Sequence, residues 1–283
     1  MQFEKWQALG NDYLLVEERE LPWPLSAPRI RRLCDAHLGP GGDGVLVLGP
    51  AENPTAVARL RIYNPDGSEA ELSGNGARQA ILYLRRAGWT DSDRFILETA
   101  AGPIRPVITS PSTCRVDMGR ASPRSSDFPG GPPDGRGRLE VAGHSWAFQH
   151  VSIGNPQCAI RIADPEALEA LDLAALGPPI EHHTAFPRRT NVSWFTEVPD
   201  GRIRARIFER GVGETLSSGT GASGAAVAHV LGGGRSPVTV LLDGGELEVE
   251  VEEDLTVYLT GWAVPVYRGR LARELIEELH ETQ

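Results

Sequence analysis

The chain has 283 residues, 40% of them hydrophobic, and a formal charge of −10; it can bury a substantial core, and its length fits two domains of ordinary size. The acidic balance and the lack of any Lys/Arg-rich block argue against nucleic acid or an acidic membrane surface as a partner. No run of about 18 apolar residues could span a bilayer, and the opening MQFEKWQALGNDYLLV has no apolar segment of signal-peptide length, so the expected compartment is the cytoplasm.

Cys34, Cys114 and Cys158 are odd in number and far apart, with neither a CxxC pair nor a disulfide framework, and they read as small buried side chains. His182 and His183 are adjacent and would point to opposite faces of a strand. No HExxH or Cys/His cluster occurs, so no metal is expected.

Residues 2–17 alternate as two strands broken at Gly10-Asn11-Asp12, a hairpin-turn signal. SAPRIRRLCDAHLG reads as a helix with Ser26 as N-cap and Pro28 in its first turn, and GPGGDGVLVLGP as a glycine-rich turn feeding a buried strand from Val45 to Leu48. The segment 61–77 then passes from apolar strand through a polar turn into Ser-Gly-Asn-Gly-Ala and a helix ending near Gly88. RFILETAAGPIRPVI and TCRVDMG are two or three further strands. Residues 121–137, ASPRSSDFPGGPPDGRG, form a Pro/Gly/Ser-rich surface loop near a domain boundary. Strand resumes through RLEVAGHSWAFQHVSIGNPQCAIRI, PEALEALDLAALG is one amphipathic helix, and RRTNVSWF is strand. VTVLLDGGELEVEV is a hairpin around Asp243-Gly244-Gly245, LTVYLTGWAVPVYRG is more strand, and ARELIEELHET is a short charged terminal helix.

The chain repeats itself. Residues 206–222, RIFERGVGETLSSGTGA, align without a gap on residues 61–77, RIYNPDGSEAELSGNGA, at an offset of 145 (206 − 61). Gly154-Asn155-Pro156 echoes Gly10-Asn11-Asp12 at an offset of 144 (154 − 10), so the duplication extends well beyond the glycine turns. Too few helices occur to alternate with every strand, which predicts an α+β fold of two pseudo-symmetric, strand-rich lobes, each curled around one helix. The expected boundaries are 1–120 for the N-terminal lobe, with 264–283 returning to it, and 121–263 for the C-terminal lobe. Each repeat ends at a helix start, whose free N–H groups and dipole can seat an anion, and two such seats point to a ligand held between the halves.

Six motifs carry a resemblance to the diaminopimelate epimerase family over essentially the whole chain. They are Phe3-x-Lys5-x4-Gly10-Asn11-Asp12, Asn64-Pro65-Asp66-Gly67-Ser68-Glu69, Gly74-Asn75-Gly76-Ala77-Arg78, Gly154-Asn155-Pro156, Thr190-Asn191-Val192, and Glu209-Arg210-Gly211-Val212-Gly213-Glu214-Thr215 leading to Gly219-Thr220-Gly221. The resemblance implies a cofactor-independent isomerase, working without pyridoxal phosphate or metal, that interconverts LL- and meso-diaminopimelate for lysine and peptidoglycan supply. It also implies a homodimer.

By resemblance, Asn64, Asn191, Glu209 and Arg210 hold the distal amino-acid end of a small-molecule substrate, Glu209 meeting its ammonium and Arg210 its carboxylate. Asn11, Asn75, Asn155, Gly74, Gly219 and Thr220 hold the reacting end. The family's two proton-transferring cysteines fall on Ser73 and Ser218, which are the catalytic positions expected here. A hydroxyl without a base is a poor acceptor of a carbon-bound proton, and no neighbouring base is evident in the sequence. Gln157 stands where most members have histidine, Gln79 is unusual after Arg78, and Cys158 is expected on the far face of a strand as a plain buried cysteine. Two other readings stay open: a dehydratase or isomerase of another amino acid, and an amino-acid-binding protein without turnover.

Overall fold

In the computed structural model, which describes residues 1–71 and 73–282, β1 (Gln2–Ala8) folds back on β2 (Asn11–Glu17) through Leu9 and Gly10. Both turn residues take positive φ, 52° and 81°, the conformation a two-residue hairpin turn requires. The turn is therefore Leu9-Gly10, and Asn11 and Asp12 open the second strand instead of forming the turn. Helix α1 (Ala27–Cys34) follows Ser26 as expected, although the Ser26 hydroxyl makes no cap bond. Strands β3 (Val45–Gly49), β4 (Ala58–Tyr63) and β5 (Glu69–Ala70) lead into α2 (Gly74–Arg86). Four short strands come next: β6 (Leu97–Thr99), β7 (Gly102–Ile104), β8 (Val107–Ser110) and β9 (Thr113–Arg120).

The chain divides into two units, Met1–Val116 with Gly261–Gln283, and Asp117–Thr260, so it leaves the first unit inside β9. The second unit holds β10 (Arg136–Val141), β11 (His144–Ser152), β12 (Pro156–Arg161), α3 (Pro165–Glu169), α4 (Leu173–Glu181), β13 (Asn191–Val198), β14 (Arg202–Glu209) and β15 (Gly213–Thr215). Then come α5 (Gly219–Leu231), β16 (Val238–Leu242), β17 (Gly245–Val251) and β18 (Thr256–Trp262), in which the chain returns to the first unit for β19 (Val264–Arg270) and α6 (Arg273–Glu281).

The duplication in sequence is a duplication in topology. The first sheet runs β19-β1-β2-β3-β4-β6-β7, with β5 on β4; it is antiparallel except where β2 meets β3 and β4 meets β6. The second contains the run β10-β11-β12-β13-β14-β16-β17-β18, with β15 on β14, and its parallel pairs are β12 with β13 and β14 with β16. In each unit the central helix connects a parallel pair, β4 to β6 or β14 to β16, and lies against the sheet it connects.

Strand β3 is buried along its whole length, which explains its unbroken apolar run VLVLG. Val45 and Val47 face a cluster that includes Ile30 of α1 and Leu279 of α6, while the alternating Leu46 reaches Gly76 in the first turn of α2. Helix α5 is apolar on all sides, and Ala222, Ala225, Ala226 and Val227 are fully buried. PEALEALDLAALG is two helices, not one: Asp172 accepts a bond from the Ala175 N–H and starts α4 anew after α3 ends, and α4 then continues through Pro178 and Pro179.

One buried polar group has a measurable consequence for stability. His150 on β11 is fully buried, with Phe128 and Phe186 ring centroids 5.5 Å and 6.4 Å away and the Ser125 hydroxyl 2.9 Å from Nε2. Burial pulls its pKa below the ordinary histidine value, against the raising influence of Asp127. The unfolded chain therefore binds the proton more readily, and stability is lost as pH falls from about 6.5 toward the depressed value. Urea unfolding followed from above to below about pH 6.5 will show this fall, and His150→Phe will reduce the slope by up to about 1.4 kcal/mol per pH unit.

Candidate active site

The two serines expected to be catalytic are the N-caps of the two central helices. Ser73 Oγ accepts the Gly76 N–H at 3.1 Å, and Ser218 Oγ accepts the Gly221 N–H at 3.2 Å. Each caps one of the first-turn donors that a helix leaves unpaired. Glycine is needed two positions into each helix because the first turn presses on the sheet. A Cβ at Gly221 would come within 2.7 Å of Ile207 Cδ1, and one at Gly76 within 3.0 Å of Leu46 Cδ2. Neither helix has an acidic residue in its first turn, so each N-terminus keeps its positive end uncompensated from within the helix.

In the first unit, the Tyr13 hydroxyl donates to Ser73 Oγ at 3.2 Å, a partner that sequence reasoning missed. Asn11 is held by the chain around it: its Nδ2 donates to Asp43 Oδ2 at 2.9 Å, and its carbonyl accepts from Gln79 Nε2 at 3.0 Å. Asp43 in turn pairs backbone to side chain with Asp12, which forms a 2.7 Å ion pair with Lys5. Gly74 and Asn75 are the first residues of α2, and Asn75 Oδ1 accepts from Arg78 Nη2 at 2.5 Å. Asn64 bonds within its own turn, Nδ2 donating to Ser68 Oγ at 2.9 Å, and makes no bond to the other expected site residues among those described.

The second unit brings six of its seven expected residues together as three pairs. Asn155 Nδ2 donates to Thr220 Oγ1 at 3.2 Å, the Arg210 N–H donates to Asn191 Oδ1 at 2.8 Å, and Ser218 Oγ donates to Glu209 Oε2 at 3.0 Å. Gly219 opens α5 beside them. The last pair corrects the expectation that no base stands beside the serines. Glu209 ends β14 and Ser218 follows β15, and because β15 folds back on β14 the two meet although nine residues apart. Burial pushes the Glu209 carboxyl above its ordinary pKa, with the Ser218 hydrogen bond pulling the other way.

The cysteines offer no alternative nucleophile. Burial pushes Cys34 and Cys114 up to about 12 and Cys158 higher still. Cys158 packs in the core with Ile160, Val192 and Trp194, and Gln157 sends its amide to Asn155 Oδ1 at 2.6 Å.

The family model for diaminopimelate epimerase matches residues 3–123 and 149–266. The diaminopimelate epimerase of Pelotomaculum thermopropionicum is 41% identical over 280 residues, covering 95% of this chain and 98% of that protein. The chain belongs to the diaminopimelate epimerase family. A second curated member, diaminopimelate epimerase 1 of a Nostoc species, is 39% identical and is covered over 99% of its length. Outside the family, a probable proline racemase from Agrobacterium radiobacter shares the fold at a TM-score of 0.68 and 17% identity, covering 96% of this chain and 93% of that one. A Bacillus anthracis phenazine biosynthesis protein does so at 0.69 and 17%, covering 96% and 99%. The two-lobed α+β scaffold is thus wider than the diaminopimelate epimerase family.

Within this family member, one carboxylate outside the motifs holds the Glu209-Arg210 loop. Glu181, at the end of α4 and almost fully buried, accepts the Gly211 N–H at 2.9 Å and meets Arg189 Nη1 at 3.2 Å. Arg189 sits at φ +62°, and the carbonyl of the preceding Arg188 accepts from Arg210 Nη1 at 3.0 Å. Glu181→Ala leaves the Gly211 N–H without its acceptor and will lower the unfolding free energy by about 1–3 kcal/mol. Glu181→Gln, which still accepts a hydrogen bond, will lose less in the same denaturant titration.

Proposed function

We propose that the chain interconverts LL- and meso-diaminopimelate by proton transfer at the α-carbon, without a cofactor, as a cytoplasmic homodimer. The observation that carries this reading beyond family membership is the hydrogen bond between Ser218 and the buried carboxylate of Glu209. Removing the α-proton sends an electron pair toward the ligand carboxylate, and a helix N-terminus stabilises that charge. With Glu209 beside it, Ser218 takes the α-proton on Oγ as its own hydroxyl proton passes to the carboxylate. Burial raises Glu209's affinity for that proton and favours the transfer.

In the other unit Ser73 delivers its hydroxyl proton to the carbanion as Tyr13 passes its phenol proton to Ser73 Oγ, and the cycle closes when Glu209 releases its proton to water and the Tyr13 phenolate takes one up from water. A carboxylate has about four lone-pair sites, so Glu209 can serve Ser218 and a distal ammonium together. Asn64, Asn191 and Arg210 complete the distal end, and Asn11, Gly74, Asn75, Asn155, Gly219 and Thr220 the reacting end. The homodimer reading is supported by β19, the edge strand of the first unit's sheet, where Val266 and Tyr267 are exposed near the loop carrying the exposed Leu38.

The purified protein will exchange the α-hydrogen of diaminopimelate in D2O, Glu209→Gln will lower kcat by about 10²–10⁴, and Ser73→Cys with Ser218→Cys will raise it. The acid limb of the rate will lie above the ordinary carboxylate value and vanish in Glu209→Gln. Exchange absent from both the parent and the double cysteine variant would sink the proposal; loss of water from a hydroxy amino acid would instead establish a dehydratase, and binding without exchange a carrier. Tyr267→Arg will shift sedimentation toward monomer.

A further inference from the structure

The N-terminus of α2 has a buried positive charge behind it that no carboxylate among the described residues balances. Arg78 is fully buried and spends Nη2 on Asn75 Oδ1, while Nε and Nη1 have no hydrogen-bond partner among the described residues. Its one titratable neighbour there is the Cys114 thiol, which burial keeps protonated. A guanidinium does not escape this by losing its proton: burial lowers Arg78 to about 10, still charged at neutral pH. Buried charges are ordinarily paired, and a cation near a helix N-terminus adds to the dipole's positive end instead of opposing it.

The second repeat lacks this feature. The position 145 residues on is Ser223, whose hydroxyl bonds the Gly219 carbonyl at 2.8 Å, and the charged group beside that helix start is the Glu209 carboxylate. The two helix starts are therefore alike in backbone and opposite in side-chain charge.

We propose that Arg78 is a positioning residue that acts as the built-in counter-charge for a ligand carboxylate seated at the N-terminus of α2. That the ligand is an amino acid rests on the function proposed above. Arg78 acts through Asn75, whose carboxamide it orients, and through the field it adds at the first turn of α2, which a carboxylate neutralises on binding. The charge asymmetry marks α2 as the helix start whose side chains favour a carboxylate.

The test uses the full chain, its Arg78→Met and Arg78→Lys variants, and two probes, diaminopimelate and glycine; glycine carries the α-carboxylate without a distal end. Without ligand, Arg78→Met melts at or above the parent midpoint, because a buried charge that no carboxylate among the described residues balances has been removed. Glycine raises the parent midpoint and not that of Arg78→Met. Diaminopimelate binds Arg78→Met at least about tenfold more weakly by calorimetry, with Arg78→Lys retaining most of the affinity. An Arg78→Met protein that is markedly less stable than the parent overturns the inference, since a packing role predicts that result. Equal affinity of Arg78→Met and parent for both probes overturns it as well. Glycine stabilising the parent through Arg78 while diaminopimelate binds no better leaves the inference standing and removes the diaminopimelate reading.

Discussion

Everything in each unit is arranged around one requirement: the first turn of a helix packed on its sheet must satisfy its N–H groups without closing itself to a ligand. A serine at the cap pairs with one of those groups, Gly76 in α2 and Gly221 in α5. The sheet must come close enough to hold the helix, which requires glycine where Leu46 and Ile207 press on it. The parallel pairs that flank each helix follow from the same demand, because a helix can cross from one strand to a parallel neighbour while lying on the sheet between them.

From this common frame the two units have diverged in charge. The first holds a buried guanidinium and a phenol near its cap serine, and the second holds a buried carboxylate. The scaffold beneath them is conventional packing, with alternating strands and an apolar helix, and could carry other chemistry as readily.

The groups that hold the working residues are themselves mostly polar and buried. Asp43 fixes Asn11, Gln157 fixes Asn155, and Glu181 fixes the loop after Glu209. Asp43 and Glu181 reach partners 32 and 30 residues away, whereas Gln157 lies two residues from Asn155, so the site's order draws on long-range contacts as well as on a local turn. Gln157 and Glu181 are buried, and burial gives their bonds weight, because an unpaired group there has little water to turn to.

Much of this was legible from residues alone. The offset of 145 exposed the duplication, alternation marked the strands, and Ser-Gly-x-Gly-Ala marked both helix starts, because caps, turns and periodicity depend on neighbours within a few positions. The break between α3 and α4 and the true turn at Leu9-Gly10 were not legible, since they depend on which of several local options packing selects. Nor could sequence place Glu209 against Ser218 or Tyr13 against Ser73, or leave Arg78 Nε and Nη1 without a hydrogen-bond partner among the described residues. Those depend on a hairpin folding β15 onto β14, on β2 lying beneath α2, and on burial, and only the folded chain decides which charges find partners.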